Sequence, residues 1–265
     1  MKKVLAIAGS DSSGGAGIQA DIKSISANKA YAMTVITALT AQNTLGVDLI
    51  EDVSVDMVNA QLKAIREDIK VDAIKIGMVS NENIIEAISK EIDSFKTKVV
   101  LDPVMVSKSN HLLLQKEAID ALVNNLFPKA FLVTPNLMET FQLCGIKANS
   151  VELMKEAASK ILDLGPANVL IKGGHLEGDY AVDVLLTEGN FYTFKEKVID
   201  TNNNHGTGCT LSSAIAANLA NDFDLITAVK RAKKYITETL RYGFKVGKGV
   251  GVPDHFLINK EEKEC

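Results

Sequence analysis

The chain has 265 residues, 46% of them hydrophobic, and a formal net charge of -4. That length and apolar fraction suit a single domain over residues 1–265 with a large core. The mild acidity lacks the basic footprint that nucleic acid would require, and no apolar run is long enough to span a bilayer, which excludes both kinds of partner.

Met1-Lys2-Lys3 followed by Val4-Leu5-Ala6-Ile7-Ala8 has the outline of a signal peptide, but Gly9-Ser10-Asp11 cuts the apolar run short, so the segment reads as a first strand. Cys144, Cys209 and Cys265 have no paired spacing, which argues against a disulfide framework and fits a reducing cytoplasm. Neither cysteine nor histidine spacing resembles a zinc site, so any metal is expected on oxygen ligands.

Apolar runs at 4–8, 34–39, 73–78, 99–102, 131–134 and 169–172 read as strands rich in Val, Ile and Leu. Between them, 57–69, 84–92 and 118–126 show the helical period, and 137–143 reads as a short helix. This alternation predicts an α/β fold with a mostly parallel sheet. Residues 180–198 change to strict alternation around Glu188-Gly189-Asn190 and read as a hairpin, followed by helices over 207–220 and 225–242 and a tail rich in glycine.

Ligands bind such sheets beyond the carboxyl ends of the strands. The residues expected there are Gly9-Ser10-Asp11, Gln42-Asn43-Thr44, Gly77-Met78, Asp102-Pro103, Thr134-Pro135-Asn136 and Lys172-Gly173-Gly174. Gly9 to Ala16 is spaced like a phosphate loop, but Gly15 stands where that motif needs Lys. It reads instead as a loop that covers a ligand, which its length favours, or as a flexible turn. Gly15-Ala16-Gly17-Ile18-Gln19-Ala20 matches a dinucleotide pattern, yet no ribose-binding acid ends the next strand, which leaves a dehydrogenase as the weakest reading.

His205-Gly206-Thr207-Gly208-Cys209-Thr210 opens an alanine-rich helix. Its glycines allow close backbone approach, its threonines offer hydroxyls, and its unpaired amides suit a phosphoryl group. The positive helix end is expected to lower the Cys209 thiol pKa. Asp102 and Glu139 offer oxygen ligands for Mg²⁺, although Glu139 equally suits the first turn of its helix. Lys172 offers a charge for nucleotide phosphates, Gln42 a donor and acceptor for an aminopyrimidine edge, and Met78 a surface for a flat ring.

Taken together, Ala8 to Asp21, Thr40-Ala41-Gln42-Asn43-Thr44, Asp102-Pro103-Val104-Met105-Val106, Val133-Thr134-Pro135-Asn136, Ile171-Lys172-Gly173-Gly174-His175 and His205 to Thr210 resemble the hydroxymethylpyrimidine/phosphomethylpyrimidine kinases of thiamine biosynthesis, in the ribokinase-like superfamily. The resemblance implies a three-layer α/β/α fold, ATP with Mg²⁺, and two successive phosphorylations of 4-amino-5-hydroxymethyl-2-methylpyrimidine. It implies a pyrimidine-reading Gln42, ring-enclosing Gly9, Ala16, Met78 and Val104, and Asp102 and Glu139 at the Mg²⁺ and phosphates. Lys172 and Asn136 would contact the nucleotide. Gly206, Thr207, Gly208 and Cys209 would form the anion hole, with Cys209 where many sugar-kinase relatives carry an Asp base. A homodimer is common in the family. The chain departs from the family pattern at Ser107-Lys108-Ser109-Asn110-His111, Asn202-Asn203-Asn204 and Gly251-Val252-Pro253-Asp254-His255, none of which removes a named chemical group. The rival expectations are a pyridoxal/pyridoxine kinase and a pyrimidine-binding sensor without catalysis.

Overall fold

The computed structural model describes residues 1–105, 116–174, 176 and 178–258. Val106, the Ser107-to-His111 stretch, His175 and Cys265 lie outside the described residues.

Nine strands form one sheet among the described residues: β1 (Lys3–Asp11), β2 (Tyr31–Gln42), β3 (Val47–Asp52), β4 (Ala73–Ile76), β5 (Lys98–Leu101), β6 (Leu132–Val133), β7 (Val169–Gly173), β8 (Tyr180–Thr187) and β9 (Asn190–Lys197). Their order is β3-β2-β1-β4-β5-β6-β7-β8-β9, parallel from β2 to β7 and antiparallel at both margins. The helices are α1 (Gly17–Ala27), α2 (Val55–Asp68), α3 (Glu82–Ile92), α4 (Lys116–Ala121), α5 (Leu137–Cys144), α6 (Val151–Leu162), α7 (Thr207–Ala220) and α8 (Leu225–Arg241). None of the described helices is long and apolar enough to cross a membrane.

Both faces of the sheet are covered, and β1 shows why its sequence is continuously apolar. Leu5 and Ile7 pack into the layer of α2, α3 and α6, whereas Val4 and Ala6 alternate into the layer of α1, α7 and α8. This is the expected three-layer α/β/α arrangement. Small side chains let α7 lie deep in its layer, where every residue from Thr210 to Ala220 is buried. Ser54, Asn81 and Ser150 start α2, α3 and α6 by accepting from backbone amides of the first turn.

The sequence reading missed β3, which pairs with the end of β2, and α6, which follows α5. It also placed Gly9-Ser10-Asp11 and Gln42 beyond their strands. In fact β1 runs through Asp11 and β2 ends on Gln42, because a register shift between Ala8 and Ser10 lets their pairing continue. The helix expected over 118–126 is α4 followed by a wider turn over Leu122–Leu126. The hairpin is as expected: Glu188 and Gly189, both with positive φ, turn β8 into β9.

Candidate active site

The parallel strands end at one edge of the sheet, and a cleft partly open to solvent lies there. Its wall includes Gly9, Ala16, Gln42, Met78, Asp102, Val104, Asn136, Glu139, Lys172, Gly206, Thr207, Gly208 and Cys209. The fold thus brings these residues, each singled out from the sequence, together from positions as far apart as Gly9 and Cys209. Asp11, Thr40, Val47 and His205 also line it.

Gly206 is the N-cap of α7, with φ 80°, and a Cβ there would lie 1.8 Å from the Gly15 carbonyl oxygen. Only glycine combines that conformation with so close a backbone crossing. Gly208 faces charge instead: its Cβ would stand 3.4 Å from both Asp102 Oδ2 and Lys172 Nζ. Thr207 donates its hydroxyl to the Asn204 carbonyl at 2.7 Å. Thr210, expected to offer a hydroxyl to the ligand, is fully buried and donates to the Gly206 carbonyl, so it braces the turn from behind.

Cys209 corrects the sequence reading more sharply. Its thiol pKa is not lowered but raised to about 11: burial dominates, Lys75 opposes it, Asp21 and Asp102 add to it, and an amide hydrogen bond from Gly17 is too weak to reverse the balance.

Lys172 Nζ lies 2.5 Å from Asp102 Oδ1, which also accepts from the Thr134 hydroxyl at 2.9 Å. Burial pushes the Asp102 carboxyl up, but Lys172 and Lys75 overcome it and hold the pKa below its usual value. Glu139 receives less compensation. Its burial, opposed by Lys172 and reinforced by Asp102, raises its pKa to about 7. Glu139 Oε2 accepts from the Asn136 amide at 2.7 Å while Asn136 Oδ1 accepts from the Glu139 amide at 2.9 Å, a reciprocal cap that starts α5. The first-turn reading of Glu139 therefore holds, and the same residue lines the cleft.

On the opposite wall, a Cβ on Gly9 would come 3.3 Å from Met78 Sδ, so the missing side chain makes room for the methionine. Gln42 Oε1 accepts from the Thr40 hydroxyl at 3.2 Å, and Gln42 Nε2 lies 3.1 Å from His205 Nε2, the ring nitrogen that also faces Asp11. Sequence reasoning gave Asp11 and His205 no role. Asp11 Oδ2 accepts from the Gly15 and Ala16 amides, and Oδ1 from the Ser13 amide and hydroxyl. The loop expected to cover a ligand is therefore short and tied to its own strand. The polar ending of an apolar strand was the available signal for Asp11; His205 had none beyond adjacency to Gly206.

A doubly covered parallel sheet whose strand ends meet a glycine-rich helix start beside a Lys–Asp pair defines a small-molecule kinase of the ribokinase-like class. In that class, an ADP complex of Bacillus subtilis pyridoxal kinase is similar to this chain with a TM-score of 0.89 and 41% identity, covering 96% of this chain and 97% of that one. Residues 11–254 match the phosphomethylpyrimidine kinase family model, and the chain belongs to that family. The chain is 46% identical over 256 residues to the hydroxymethylpyrimidine/phosphomethylpyrimidine kinase of Rhizobium meliloti, covering 95% of this chain and 96% of the relative. It is 44% identical to the thiamine biosynthesis bifunctional protein ThiED of Geobacter sulfurreducens, covering 98% of this chain and 54% of that longer protein.

Proposed function

We propose that the protein uses ATP to phosphorylate 4-amino-5-hydroxymethyl-2-methylpyrimidine, first to the monophosphate and then to the diphosphate, as a hydroxymethylpyrimidine/phosphomethylpyrimidine kinase of thiamine biosynthesis. The observation that carries this reading is the convergence of Gln42 and the Gly206–Cys209 turn on one cleft in a chain of this family.

Gln42, oriented by Thr40, reads the amino group and adjacent ring nitrogen, while Gly9, Ala16, Met78 and Val104 enclose the ring. The hydroxyl of the substrate then attacks the γ-phosphorus of ATP in line. Amides of the Gly206–Cys209 turn stabilise charge on the transferring group, and Lys172 and Asn136 hold the nucleotide. Cys209, protonated at rest, orients the attacking hydroxyl, and its small thiolate population adds base catalysis that grows with pH. Positioning and charge neutralisation contribute more, because phosphoryl transfer passes through a loose transition state.

Asp102 and Glu139 fit Mg²⁺: they are buried oxygen donors on one cleft wall, and no third His, Cys, Asp or Glu groups with them among the described residues. Such a sparse donor set suits an ion that keeps waters and takes phosphate oxygens. Mg²⁺ held there would neutralise the phosphates of ATP. A cytoplasmic location agrees with the free thiols of Cys144 and Cys209, and a homodimer is the expected assembly.

Phosphorus NMR of the enzyme with Mg-ATP and either the pyrimidine or pyridoxal tests the proposal. The similarity to a pyridoxal kinase gives the second substrate its place. A diphosphate signal from the pyrimidine is expected. Pyridoxal phosphate alone would move the assignment to vitamin B6 salvage, and no product from either would leave a pyrimidine-binding sensor.

A further inference from the structure

Asp183 of β8 and Lys233 of α8 are both buried. Their meeting follows from the strand register. Leu170 and Leu185 lie opposite each other and belong to the layer of α1, α7 and α8, so Lys172 and Asp183, the next but one pair along, face that layer too. Lys233 reaches Asp183 there, with Nζ 2.7 Å from Oδ2 as a charge contact outside hydrogen-bond alignment. The other carboxylate oxygen, Oδ1, accepts from the Gly173 amide at 3.0 Å. A buried ion pair is weak evidence for stability, since apolar residues of similar volume commonly serve as well. What apolar residues could not supply is the acceptor for Gly173.

Gly173 follows Lys172, whose side chain lines the cleft and pairs with Asp102. β6 spans only Leu132–Val133 and meets β7 at Val169, so the regular ladder on that side ends before Lys172. Single contacts take its place. The Lys172 amide donates to the Pro135 carbonyl at 2.8 Å, and Lys172 forms an isolated parallel bridge with Asn136, another residue of the cleft wall. The peptide units on both sides of the Lys172 Cα are therefore tied down, one to the loop after β6 and the other to Asp183. A Cβ on Gly173 would stand 2.0 Å from the Val182 carbonyl oxygen, so only glycine lets β7 run this close to β8.

We propose that Asp183 is a positioning residue for nucleotide binding that acts through Lys172: its Oδ1 fixes the Lys172–Gly173 peptide and so aims the Lys172 ammonium into the cleft, while Lys233 holds the carboxylate in place. The inference rests on the nucleotide contact assigned to Lys172 in the function proposed above. Neither Asp183 nor Lys233 is among the described residues that line the cleft, so both act on the nucleotide indirectly. A lysine stem is flexible, but an ammonium already held by Asp102 reaches a phosphate only when its backbone stands in register.

The test compares two double variants of the full chain by calorimetric titration with Mg-ATP alone and, separately, with the pyrimidine alone. K233M/D183N and K233M/D183L both lack the ion pair, and only the first keeps an oxygen for the Gly173 amide. K233M/D183N should bind Mg-ATP within about twofold of the wild type and K233M/D183L about tenfold more weakly, with the same pyrimidine affinity in both. Equal Mg-ATP affinities in the two variants, or an equal loss for both ligands, would overturn the proposal. If K233M/D183L does not fold, hydrogen exchange followed by NMR decides: the wild-type Gly173 amide should be protected about a hundredfold or more, and an unprotected amide overturns the proposal. A wild type that binds Mg-ATP but makes no product from the pyrimidine removes the function proposed above and leaves the Mg-ATP comparison intact, whereas one that does not bind Mg-ATP overturns both.

Discussion

His205 Nε2 lies 2.8 Å from Asp11 Oδ2, joining the end of β1 to the loop before α7. Burial alone would raise the Asp11 pKa, but His205 and Ser13 together bring it down to about 2, below the ordinary 3.8. The folded value is the lower one, so the stabilisation is present above about pH 4 and disappears as the pH falls towards 2. Asp11→Asn should lower the melting temperature by about 3 °C at pH 7. The deficit should shrink as melts are taken through pH 4 to pH 2; a constant deficit would mean that the carboxylate charge is irrelevant.

The two glycines of the anion hole should fail in different ways. Gly206→Ala meets the Gly15 carbonyl and an unfavourable φ, and should destabilise the fold by about 2 kcal/mol or more. Gly208→Ala meets only ordinary contacts at 3.4 Å, so it should melt near the wild-type temperature yet lose turnover by crowding Asp102 and Lys172. Denaturant unfolding beside steady-state kinetics separates these outcomes, and equal stability losses would contradict the geometry.

Cys209→Ala should reduce kcat by about tenfold or more while leaving the KM for ATP nearly unchanged. Because the thiol pKa is raised to about 11, its thiolate fraction grows through neutral and mildly alkaline pH. Wild-type turnover should therefore rise from pH 7 to pH 9, and the alanine variant should lose that rise. A flat wild-type profile would eliminate the base contribution.

Gln42→Leu should raise the KM for the pyrimidine by about tenfold through the loss of paired hydrogen bonds. The affinity for ATP should hold, because Gln42 stands across the cleft wall from Asn136 and Lys172 on the end of β2. Calorimetric titration with each ligand checks this, and an unaltered pyrimidine affinity would refute the assigned ring recognition.

Glu139 has a pKa raised to about 7 against an ordinary 4.5, so stability is lost as the pH rises from about 4.5 to 7 and its buried carboxyl must ionise. Glu139→Gln keeps an oxygen for the Asn136 amide and removes the titration. It should therefore gain stability relative to wild type between pH 5 and pH 8, by up to about 2 kcal/mol, while losing turnover. Urea unfolding at the two pH values is the measurement, and a relative stability independent of pH would contradict a raised Glu139 pKa.

Much of this protein is legible in one dimension. The runs containing Leu5, Ile74 and Val100 announce buried parallel strands because apolar side chains must cover both faces of the sheet. Gly206 and Cys209 announce the helix start because local backbone chemistry is short-range. β3 escaped because Val47-Asp48-Leu49-Ile50-Glu51-Asp52 mixes charge with apolar residues, as a margin strand exposed to solvent does.

The sequence by itself determined the layered fold, the family and the chemical groups at the strand ends, since periodicity and local motifs carry that information along the chain. Only the tertiary structure decided their electrostatic state. Cys209 is protonated, Glu139 is poised near neutrality, Asp11 is tied to His205, and Lys75 is sealed against Asp21. Desolvation and charge pairing depend on what the fold places within a few ångströms, and those neighbours come from distant parts of the sequence.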